Sequence, residues 1–330
     1  MKKECKPVAN TPANFGPRIL WGAVILLVIG AFFALRILSN YAFDLFIAGI
    51  MVLSALEIEN LLHKMDKPTY SVAVGLYPML TFASIMLVVI CQLNFFHFVI
   101  FNLVVLLAMT IILFALPLIF HKFGLNSKTR DGYTGSMIGY ASSKAFNTMF
   151  VCIWPTFFLS FLFALNHFGD LSVSGVASAF SVDLGWLALA MIFATSMLAD
   201  TCAMLAGRFI GGPKINIEKL GPGKSWVGFA GGLLGGMIAG ILVFVVFNAF
   251  AGFNSLFNAL NCSIWTFLLG GLFCGLFNMG GDIFSSYFKR RAVVKDFSNL
   301  IPGHGGIMDR CNGILVNAVC VFVFLIIVFG

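Results

Sequence analysis

Charged residues are scarce in this chain. Its 330 residues include only 20 Lys or Arg and 13 Asp or Glu, which is 10% of the sequence, whereas a soluble domain carries about 25% charged residues. So few charges cannot cover a globular surface in water. The composition therefore argues against a soluble enzyme, a secreted disulfide scaffold and a disordered chain, and it leaves a protein whose main solvent is lipid.

Several common catalytic and binding motifs are also absent from the sequence. It contains no CxxC pair, no GxGxxG, no HExxH and no serine-nucleophile elbow, which argues against the metal, redox, dinucleotide and hydrolase sites that those motifs indicate. No internal repeat of fixed period is visible either. The sequence therefore gives no support for a transporter built from inverted halves.

Long apolar stretches are what the sequence has in abundance. Apolar residues make up 60% of the chain, and the mean hydropathy is +1.00. A transmembrane helix needs about 20 mostly apolar residues. Nine such stretches predict an all-α polytopic membrane protein with about nine transmembrane helices, at residues 19–38, 41–62, 71–91, 95–120, 148–166, 184–206, 228–250, 264–286 and 313–329.

The basic residues are distributed on one side of these stretches. Of the 20 Lys and Arg residues, 19 precede the first stretch or follow an even-numbered one, and only Arg36 falls elsewhere. Because basic residues concentrate on the cytoplasmic side, we expect a cytoplasmic N-terminus and a C-terminus on the opposite side of the cell (inner) membrane. The net charge of +7 then belongs to a cytoplasmic face and does not indicate nucleic-acid binding.

Glycines follow a helix-packing pattern in two of the stretches. Gly232, Gly236 and Gly240 lie four residues apart in the seventh stretch, and Gly271 and Gly275 do so in the eighth. Such small-xxx-small spacing lets two helices approach closely. We therefore expect tight helix packing at these positions.

Two acidic positions near the ends of the second stretch have simple structural interpretations. Ionisable groups at membrane depth are costly and often functional. Asp44 begins the stretch near the outer face, so we expect it to be solvated. Glu57 lies near the inner end beside Glu59, His63 and Lys64, a grouping that predicts a local ion pair.

Asp200 and Asp282 form a second group of acids. Each lies toward the cytoplasmic end of its stretch and enters a basic loop, residues 207–227 and 287–312 respectively. Contact with anionic lipid headgroups alone would account for the basic residues but not for acids interleaved with glycine-rich turns. The sequence accordingly divides into a cytoplasmic tail (1–18), an N-terminal membrane region with the first five stretches (19–180) and a catalytic membrane region with the other four (181–330).

These carboxylates, basic side chains and glycines predict a phosphate and metal site at the membrane surface. Mg²⁺ takes oxygen ligands, commonly one or two carboxylates plus substrate phosphates. Asp282 and Asp309 are the predicted carboxylate ligands, Asn312 adds a neutral oxygen, and Asp200 is a weaker candidate. Basic side chains can hold a polyphosphate and stabilise the charge that develops in phosphoryl or nucleotidyl transfer. The glycines flanking His304 permit unusual dihedral angles and close backbone approach.

At these residues the sequence closely resembles the phosphatidate cytidylyltransferases, also called CDP-diacylglycerol synthases. The match to the family signature runs without a gap through 25 residues, at Ser286, Lys289, Arg290, Lys295, Asp296 and the run 302–310. A second block resembles the upstream motif of the family, at Asp200, Thr201, Pro222, Lys224, Ser225, Trp226 and Gly228. The first 180 residues match only in general character.

The resemblance implies a membrane enzyme that condenses CTP with phosphatidic acid to CDP-diacylglycerol and pyrophosphate in phospholipid biosynthesis. It also implies Mg²⁺ as cofactor, with a monovalent cation such as K⁺, and a homodimer in the lipid bilayer. The implied catalytic residues are Asp282, Asp309, Lys289, Lys295 and His304, the last for positioning. The residues implied to bind CTP or the lipid phosphate are Lys224, Ser225, Ser286, Arg290, Asp296 and Arg310.

The chain departs from the family pattern at three positions within the expected site. Asn312 replaces an Asp at the end of the signature, and Gly223 and Val227 replace a Lys and a Glu of the upstream motif. An amide still offers an oxygen, but it removes one negative charge from the metal cluster. Weaker metal affinity, a changed lipid acceptor or loss of activity are the consequences to test.

Two other functions stay open at the level of sequence. A CTP-dependent lipid-alcohol kinase of the polyprenol type would transfer the γ-phosphoryl group of CTP to an alcohol. A non-catalytic lipid or ion transporter would require charged residues along a path at mid-membrane. The acids of this chain gather instead toward the cytoplasmic ends of the stretches.

Overall fold

The computed structural model describes residues 15–122, 137–171, 180, 182–215, 224–301 and 305–329. Within these ranges the chain folds into α-helices joined by turns, a π-helical segment at Cys152–Phe157 and two isolated β-bridges. The helices up to residue 171 are α1 (Phe15–Leu38), α2 (Asn40–Lys64), α3 (Ser71–Ile90), α4 (Phe95–Lys122), α5 (Met137–Val151), α6 (Phe158–Asn166) and α7 (Phe168–Leu171). The later helices are α8 (Leu184–Phe209), α9 (Trp226–Asn248), α10 (Ala251–Ala259), α11 (Ile264–Arg291) and α12 (Ile307–Phe329).

Eight helical segments of the described residues are long and apolar enough to cross a membrane. They confirm the predicted all-α fold and indicate an integral membrane protein. The first predicted stretch lies in α1, of which Leu27–Leu38 qualifies as a shorter apolar helix. A total of nine spans and the orientation of the termini therefore stay predictions. The eight segments are Asn40–Lys64, Ser71–Ile90, Phe95–Ala115, Gly139–Asn166, Leu184–Phe209, Trp226–Asn248, Ile264–Arg291 and Ile307–Phe329.

The segment Gly139–Asn166, which corresponds to the fifth predicted stretch, begins earlier than the hydropathy of the sequence predicts. It starts at Gly139 and not at residue 148, so Lys144 lies in α5 and not in a loop. The Lys144 ammonium lies 4.5 Å from the centroid of the Tyr70 ring, and Thr148 Oγ1 accepts a hydrogen bond from Tyr70 N at 2.8 Å. Because these polar groups find partners at the start of α3, the helix can extend through them at little cost.

The glycine pattern has the packing role that its spacing predicts. A Cβ atom on Gly236 of α9 would overlap the carbonyl oxygen of Gly271 in α11, and a Cβ on Gly271 would overlap that of Gly236. A Cβ on Gly240 would overlap the carbonyl oxygen of Phe267. The backbones of α9 and α11 therefore touch, and only glycine fits at these crossing points.

This packing gives a prediction about two glycines of α11. Gly271→Ala should destabilise the protein by about 1–3 kcal/mol, because the added methyl group forces the two backbones apart. Gly280→Ala is the matched control, since a Cβ there meets no described atom within 4 Å, and alanine favours a helix by up to about 1 kcal/mol over glycine. Thermal melting in detergent should show a lower Tm only for Gly271→Ala. Equal melting temperatures would contradict the close crossing of the helices.

A buried polar network joins four helices at the end of the bundle where α1 ends and α2 begins. Arg36 donates to Asp183 Oδ2 at 2.9 Å and to Asn166 Oδ1 at 2.6 Å. Asn166 Nδ2 donates to Asp44 Oδ1 at 2.9 Å, and His167 Nε2 lies 2.7 Å from Asp44 Oδ2. The expectation that Asp44 is solvated was therefore wrong: the residue is fully buried, and these two partners compensate its carboxylate.

Candidate active site

The predicted site residues that the structure describes lie where the ends of five helices meet, which we call the basic end. Three helices, α2, α8 and α11, finish there with basic residues in their last turns, while α9 and α12 begin there. The last helix starts at Ile307 and not at residue 313, so Asp309 lies in its first turn. The sequence predicted this acid in a loop, but it belongs to α12, and its carboxylate accepts a hydrogen bond from Gly306 N directly before the helix.

Asp282 and Asp200 line one cavity of about 410 Å³, which we call the Asp282 cavity. Lys224 Nζ donates to Asp282 Oδ2 at 2.7 Å, and Asn278 Nδ2 donates to Asp200 Oδ1 at 2.8 Å. The cavity therefore combines two carboxylates and an ammonium group with an apolar wall, a composition that suits a ligand with both charged and apolar parts. The apolar wall consists of Ala203, Met204, Ile215, Phe229, Met279 and Ile283.

The Lys224 side chain is 25% exposed, and its surroundings shift the pKa of its ammonium group. Burial lowers the pKa of its ammonium group, and the facing carboxylate of Asp282 opposes this effect. The positive charge of Lys289 on α11 also lowers the pKa of this ammonium group. The two predicted phosphate-binding lysines are therefore electrostatically linked, although each is paired with a different carboxylate.

Backbone contacts hold Lys224 in place. Ile215 N donates to Lys224 O at 2.9 Å, and Trp226 N donates to Pro213 O at 3.1 Å. Ser225 is the N-cap of α9, since its hydroxyl accepts a hydrogen bond from Gly228 N at 3.0 Å. A serine at the N-cap satisfies an otherwise unpaired helix amide. This arrangement directs the lysine into the cavity; position 223, one of the departures from the family pattern, lies outside the described residues.

Asp309 forms a second cluster with Lys289. Its Oδ1 accepts a hydrogen bond from Lys289 Nζ at 2.8 Å, and its Oδ2 accepts from Phe297 N at 2.8 Å and Gly306 N at 3.0 Å. The Asp309 side chain is only 5% exposed. One carboxylate thus joins the end of α11, the segment that follows it and the start of α12.

The glycines of the signature have the two roles that the sequence predicts. Gly305 has a φ of +85°, in the left-handed region that glycine adopts without strain, and it pairs with Ile301 in a β-bridge. A Cβ atom on Gly306 would overlap the carboxylate of Glu57. His304, predicted to position substrate, lies outside the described residues together with residues 302 and 303.

Glu57 is the site residue that sequence reasoning missed. Its neighbour Glu59 lies close to the expected partner, with Oε1 3.9 Å from His63 Nε2, and Thr69 Oγ1 bridges the two, donating to Glu59 Oε1 at 2.7 Å and lying 2.8 Å from His63 Nε2. Glu57 instead contacts the range 298–308 of the signature, which we call the signature segment. Its carboxylate accepts a hydrogen bond from Ser298 Oγ at 2.7 Å and binds the first amides of α12. The local signals were an acid at membrane depth and its charged neighbours, and they did not identify the partner.

The remaining predicted residues surround these clusters. Lys295, Arg290 and Arg310 are exposed, whereas Ser286 and Asp296 are half-buried. A second cavity has a volume of about 750 Å³, and its lining includes Asn60, His63, Lys64, Lys295, Asp296 and Ser298.

The Asp282 cavity fits a hard divalent cation such as Mg²⁺. Asp282 and Asp200 each direct a carboxylate into the same space, and Mg²⁺ commonly uses one or two carboxylates together with waters and substrate phosphates. Asn312 Oδ1 is buried without a hydrogen-bond partner among the described residues. In that part of the chain no three Asp, Glu, His or Cys residues gather to form a complete metal cage. A bound ion would therefore depend on its substrate for further ligands.

Comparison with known proteins finds curated relatives that match part of the chain. The curated phosphatidate cytidylyltransferase of Brucella suis biovar 1 is 30% identical over 140 residues, which cover 42% of this chain and 47% of that protein. The enzyme of that name from Rickettsia conorii is 33% identical over 141 residues, or 43% of this chain and 58% of the relative. That from Haemophilus influenzae is 35% identical over 132 residues, or 39% and 42%. The chain thus spans about half the length of the curated relatives it matches.

A family-wide match covers far more of the sequence. The sequence model of the cytidylyltransferase family matches residues 17–328, which include α2, both clusters of the basic end and all but the last residue of the eight described segments of membrane length. The match confirms the resemblance first noted at the signature and extends it to the N-terminal helices, where the sequence had shown only general character. The chain therefore belongs to the cytidylyltransferase family.

Proposed function

We propose that this protein is a phosphatidate cytidylyltransferase, which condenses CTP with phosphatidic acid to CDP-diacylglycerol and pyrophosphate. The observation that carries the proposal is the Asp282 cavity, where two carboxylates and an enclosed ammonium group meet an apolar wall at the basic end of a membrane bundle. Family membership and the names of the curated relatives support it. Such a cavity suits a phosphate group that arrives attached to a lipid.

The reaction needs positioning and charge neutralisation more than proton transfer. A phosphate oxygen of phosphatidic acid attacks the α-phosphorus of CTP and forms a new P–O–P bond. The bond from the α-phosphorus to the oxygen of the β-phosphate breaks, and pyrophosphate leaves with the electron pair. Because a phosphate monoester is already an anionic nucleophile, no protein base is required, and His304 is assigned a positioning role.

The basic side chains hold the phosphates in this scheme. Lys224 and Lys289 lie within 2.8 Å of carboxylates, and substrate phosphates would compete for their ammonium groups. Arg290, Lys295 and Arg310 are exposed at the same end and would bind the phosphates of CTP as it enters from water. Fixed cations of this kind stabilise the charge that develops during nucleotidyl transfer.

Mg²⁺ is the proposed cofactor, with Asp282 and Asp200 as ligands in the cavity and Asp309 and Asn312 as further candidates. When bound, the ion would supply positive charge to both phosphates and to the leaving pyrophosphate. The monovalent cation implied by the resemblance is proposed as well. Activity measured with K⁺ and with a large organic cation at equal ionic strength distinguishes a specific K⁺ requirement from a general salt effect.

The proposed orientation places the basic end in the cytoplasm of a cell whose inner membrane holds the bundle. CTP would then reach the site from the cytoplasm, and phosphatidic acid would arrive laterally within the leaflet. The one-sided distribution of basic residues supports this orientation. A homodimer is also proposed, and the mass of the protein in detergent, corrected for bound detergent, tests it.

An assay with purified protein tests the function directly. In detergent with CTP, Mg²⁺ and phosphatidic acid, we expect pyrophosphate and CDP-diacylglycerol in equal amounts, and neither product when phosphatidic acid is omitted. Release of CDP with a phosphorylated polyprenol would contradict the proposal and support the lipid-alcohol kinase. Flux of lipid or ions across liposomes, with no nucleotide consumed, would instead support a transporter.

The amide at position 312 gives a prediction about the metal requirement. Asn312 is buried, and its Nδ2 donates to Asp309 O at 3.4 Å. If it is a ligand, Asn312→Asp restores a negative charge and should lower the Mg²⁺ concentration for half-maximal activity by about tenfold, which is about 1.4 kcal/mol. Mg²⁺ titrations of both proteins measure this shift. An unchanged requirement would mean that residue 312 does not bind the metal.

A further inference from the structure

Glu57 belongs to α2, in the N-terminal region to which the proposed reaction assigns no chemical role, yet its carboxylate binds the signature segment. We propose that Glu57 is a positioning residue that fixes the first turn of α12, and with it the carboxylate of Asp309, for reaction. The inference rests on the proposed function. It gives the N-terminal helices a role in building the site beyond embedding the chain in the membrane.

The contacts of Glu57 lie near both ends of the signature segment. Oε1 accepts hydrogen bonds from Ser298 Oγ at 2.7 Å and from Ile307 N at 2.9 Å, and Oε2 accepts from Met308 N at 2.8 Å. Ser298 lies in the segment after α11, whereas Ile307 and Met308 open α12. One side chain therefore links three parts of the structure: α2, the segment after α11 and the start of α12.

The chemistry of these contacts requires an acid. Glu57 is only 5% exposed, and a buried carboxylate is costly unless its oxygens are hydrogen-bonded. Its three donors compensate that cost, and the positive end of the α12 dipole adds to the compensation. An apolar residue could also pack α2 against α12, but it would leave the amides of Ile307 and Met308 without these partners. The acid therefore holds a particular backbone position and does not merely fill space.

Glu57 binds the same turn of backbone that carries Asp309. Asp309 Oδ2 accepts a hydrogen bond from Gly306 N at 3.0 Å, so the two carboxylates bind consecutive amides at the start of α12. A Cβ on Gly306 would overlap the Glu57 carboxylate, which shows how closely the acid contacts this turn. If Glu57 releases the turn, the Asp309 carboxylate and its bond to Lys289 shift with it. A misplacement of about 1 Å can lower the rate of an enzyme about 100-fold.

A matched pair of variants on α2 tests the proposal. Glu57→Gln keeps the shape of the side chain, but its amide group places a donor where an acceptor is needed. Glu59→Gln is the control, because Glu59 is similarly buried, at 4% exposure, and its carboxylate accepts a hydrogen bond from Thr69, which lies between α2 and α3. We expect kcat per folded molecule to fall about 10- to 100-fold in Glu57→Gln and to stay near the wild-type value in Glu59→Gln.

Hydrogen exchange supplies a measurement that does not depend on activity. Well below the melting temperature, the amides of residues 306–308 should exchange faster in Glu57→Gln than in the wild-type protein or in Glu59→Gln. A purely structural role would lower Tm but leave kcat per folded molecule and this exchange unchanged. Either result, unchanged exchange or faster exchange with unchanged kcat, would overturn the proposal.

A second variant covers the case in which Glu57→Gln does not fold. Ser298→Ala removes one of the three donors and keeps the bonds to α12, so we expect a smaller loss of kcat, about severalfold to tenfold, with faster exchange at 298–301. Wild-type kcat and exchange in Ser298→Ala would then contradict the proposal. Failure of the wild-type protein to release pyrophosphate from CTP and phosphatidic acid would reject the proposed function separately, and exchange at 306–308 would still decide whether Glu57 fixes the turn.

Discussion

Replacing Asp282 by asparagine is expected to lower turnover by at least about 10³-fold, or about 4 kcal/mol in the activation barrier. Asp282 lines the cavity at the basic end, accepts a hydrogen bond from Lys224 and is the central proposed metal ligand. An amide keeps the shape but removes the charge that would hold Mg²⁺ and balance the lysine. Pyrophosphate release from CTP and phosphatidic acid, measured up to high Mg²⁺ concentrations, gives the size of the loss.

The same substitution should leave the fold intact. The side chains of Asp282 and Lys224 are 40% and 25% exposed, and a pair as exposed as this contributes at most about 1 kcal/mol to stability. Asp66→Asn is the control, because it removes an acid from the turn after α2, where the φ of +55° is one that asparagine tolerates. Full activity in Asp282→Asn, with both variants melting like the wild type, would remove Asp282 from the proposed metal site.

Much of the fold follows from local patterns in the sequence. In lipid, backbone groups must be paired within helices, so each span needs a long apolar run that hydropathy can locate. The glycine spacing likewise predicted the close crossing of α9 and α11 at Gly236 and Gly271. The prediction was less accurate at α5, where Thr148 and Lys144 are polar but paired with Tyr70, because local hydropathy contains no information about partners.

The long-range pairing of charged residues could not be predicted in this way. The sequence predicts Asp282 and Asp309 as shared metal ligands, whereas the structure pairs Asp282 with Lys224 and Asp309 with Lys289. Shared metal binding by the two acids stays a prediction. The bond from Glu57 to Ile307 joins positions 250 residues apart, and nothing in either local segment specifies the other. Such contacts depend on helix packing, which the residue pattern along one helix does not determine.

Asp309→Asn should also reduce turnover by at least about 10³-fold, but, in contrast to Asp282→Asn, it should also destabilise the protein. Its carboxylate is 5% exposed and accepts hydrogen bonds from Lys289 and from the backbone amides of Phe297 and Gly306. Asparagine places an NH₂ group against one of these donors and leaves the largely buried Lys289 without its counter-charge. Breaking one side of a buried pair costs about 3–5 kcal/mol.

The two aspartate variants should differ in thermal stability although both lose turnover. Thermal melting in detergent should show a clearly lower Tm for Asp309→Asn and little change for Asp282→Asn, while pyrophosphate release falls in both. The double variant Lys289→Met/Asp309→Asn supplies the control, since it removes the unpaired buried charge and should regain part of the lost Tm without regaining turnover. Recovery of turnover along with stability would mean that Asp309 serves the fold alone. Because the double variant also removes Lys289, a proposed phosphate ligand, its loss of turnover does not by itself assign a role to Asp309. Turnover per folded molecule in Asp309→Asn, measured well below its lower Tm, decides whether the carboxylate takes part in the reaction.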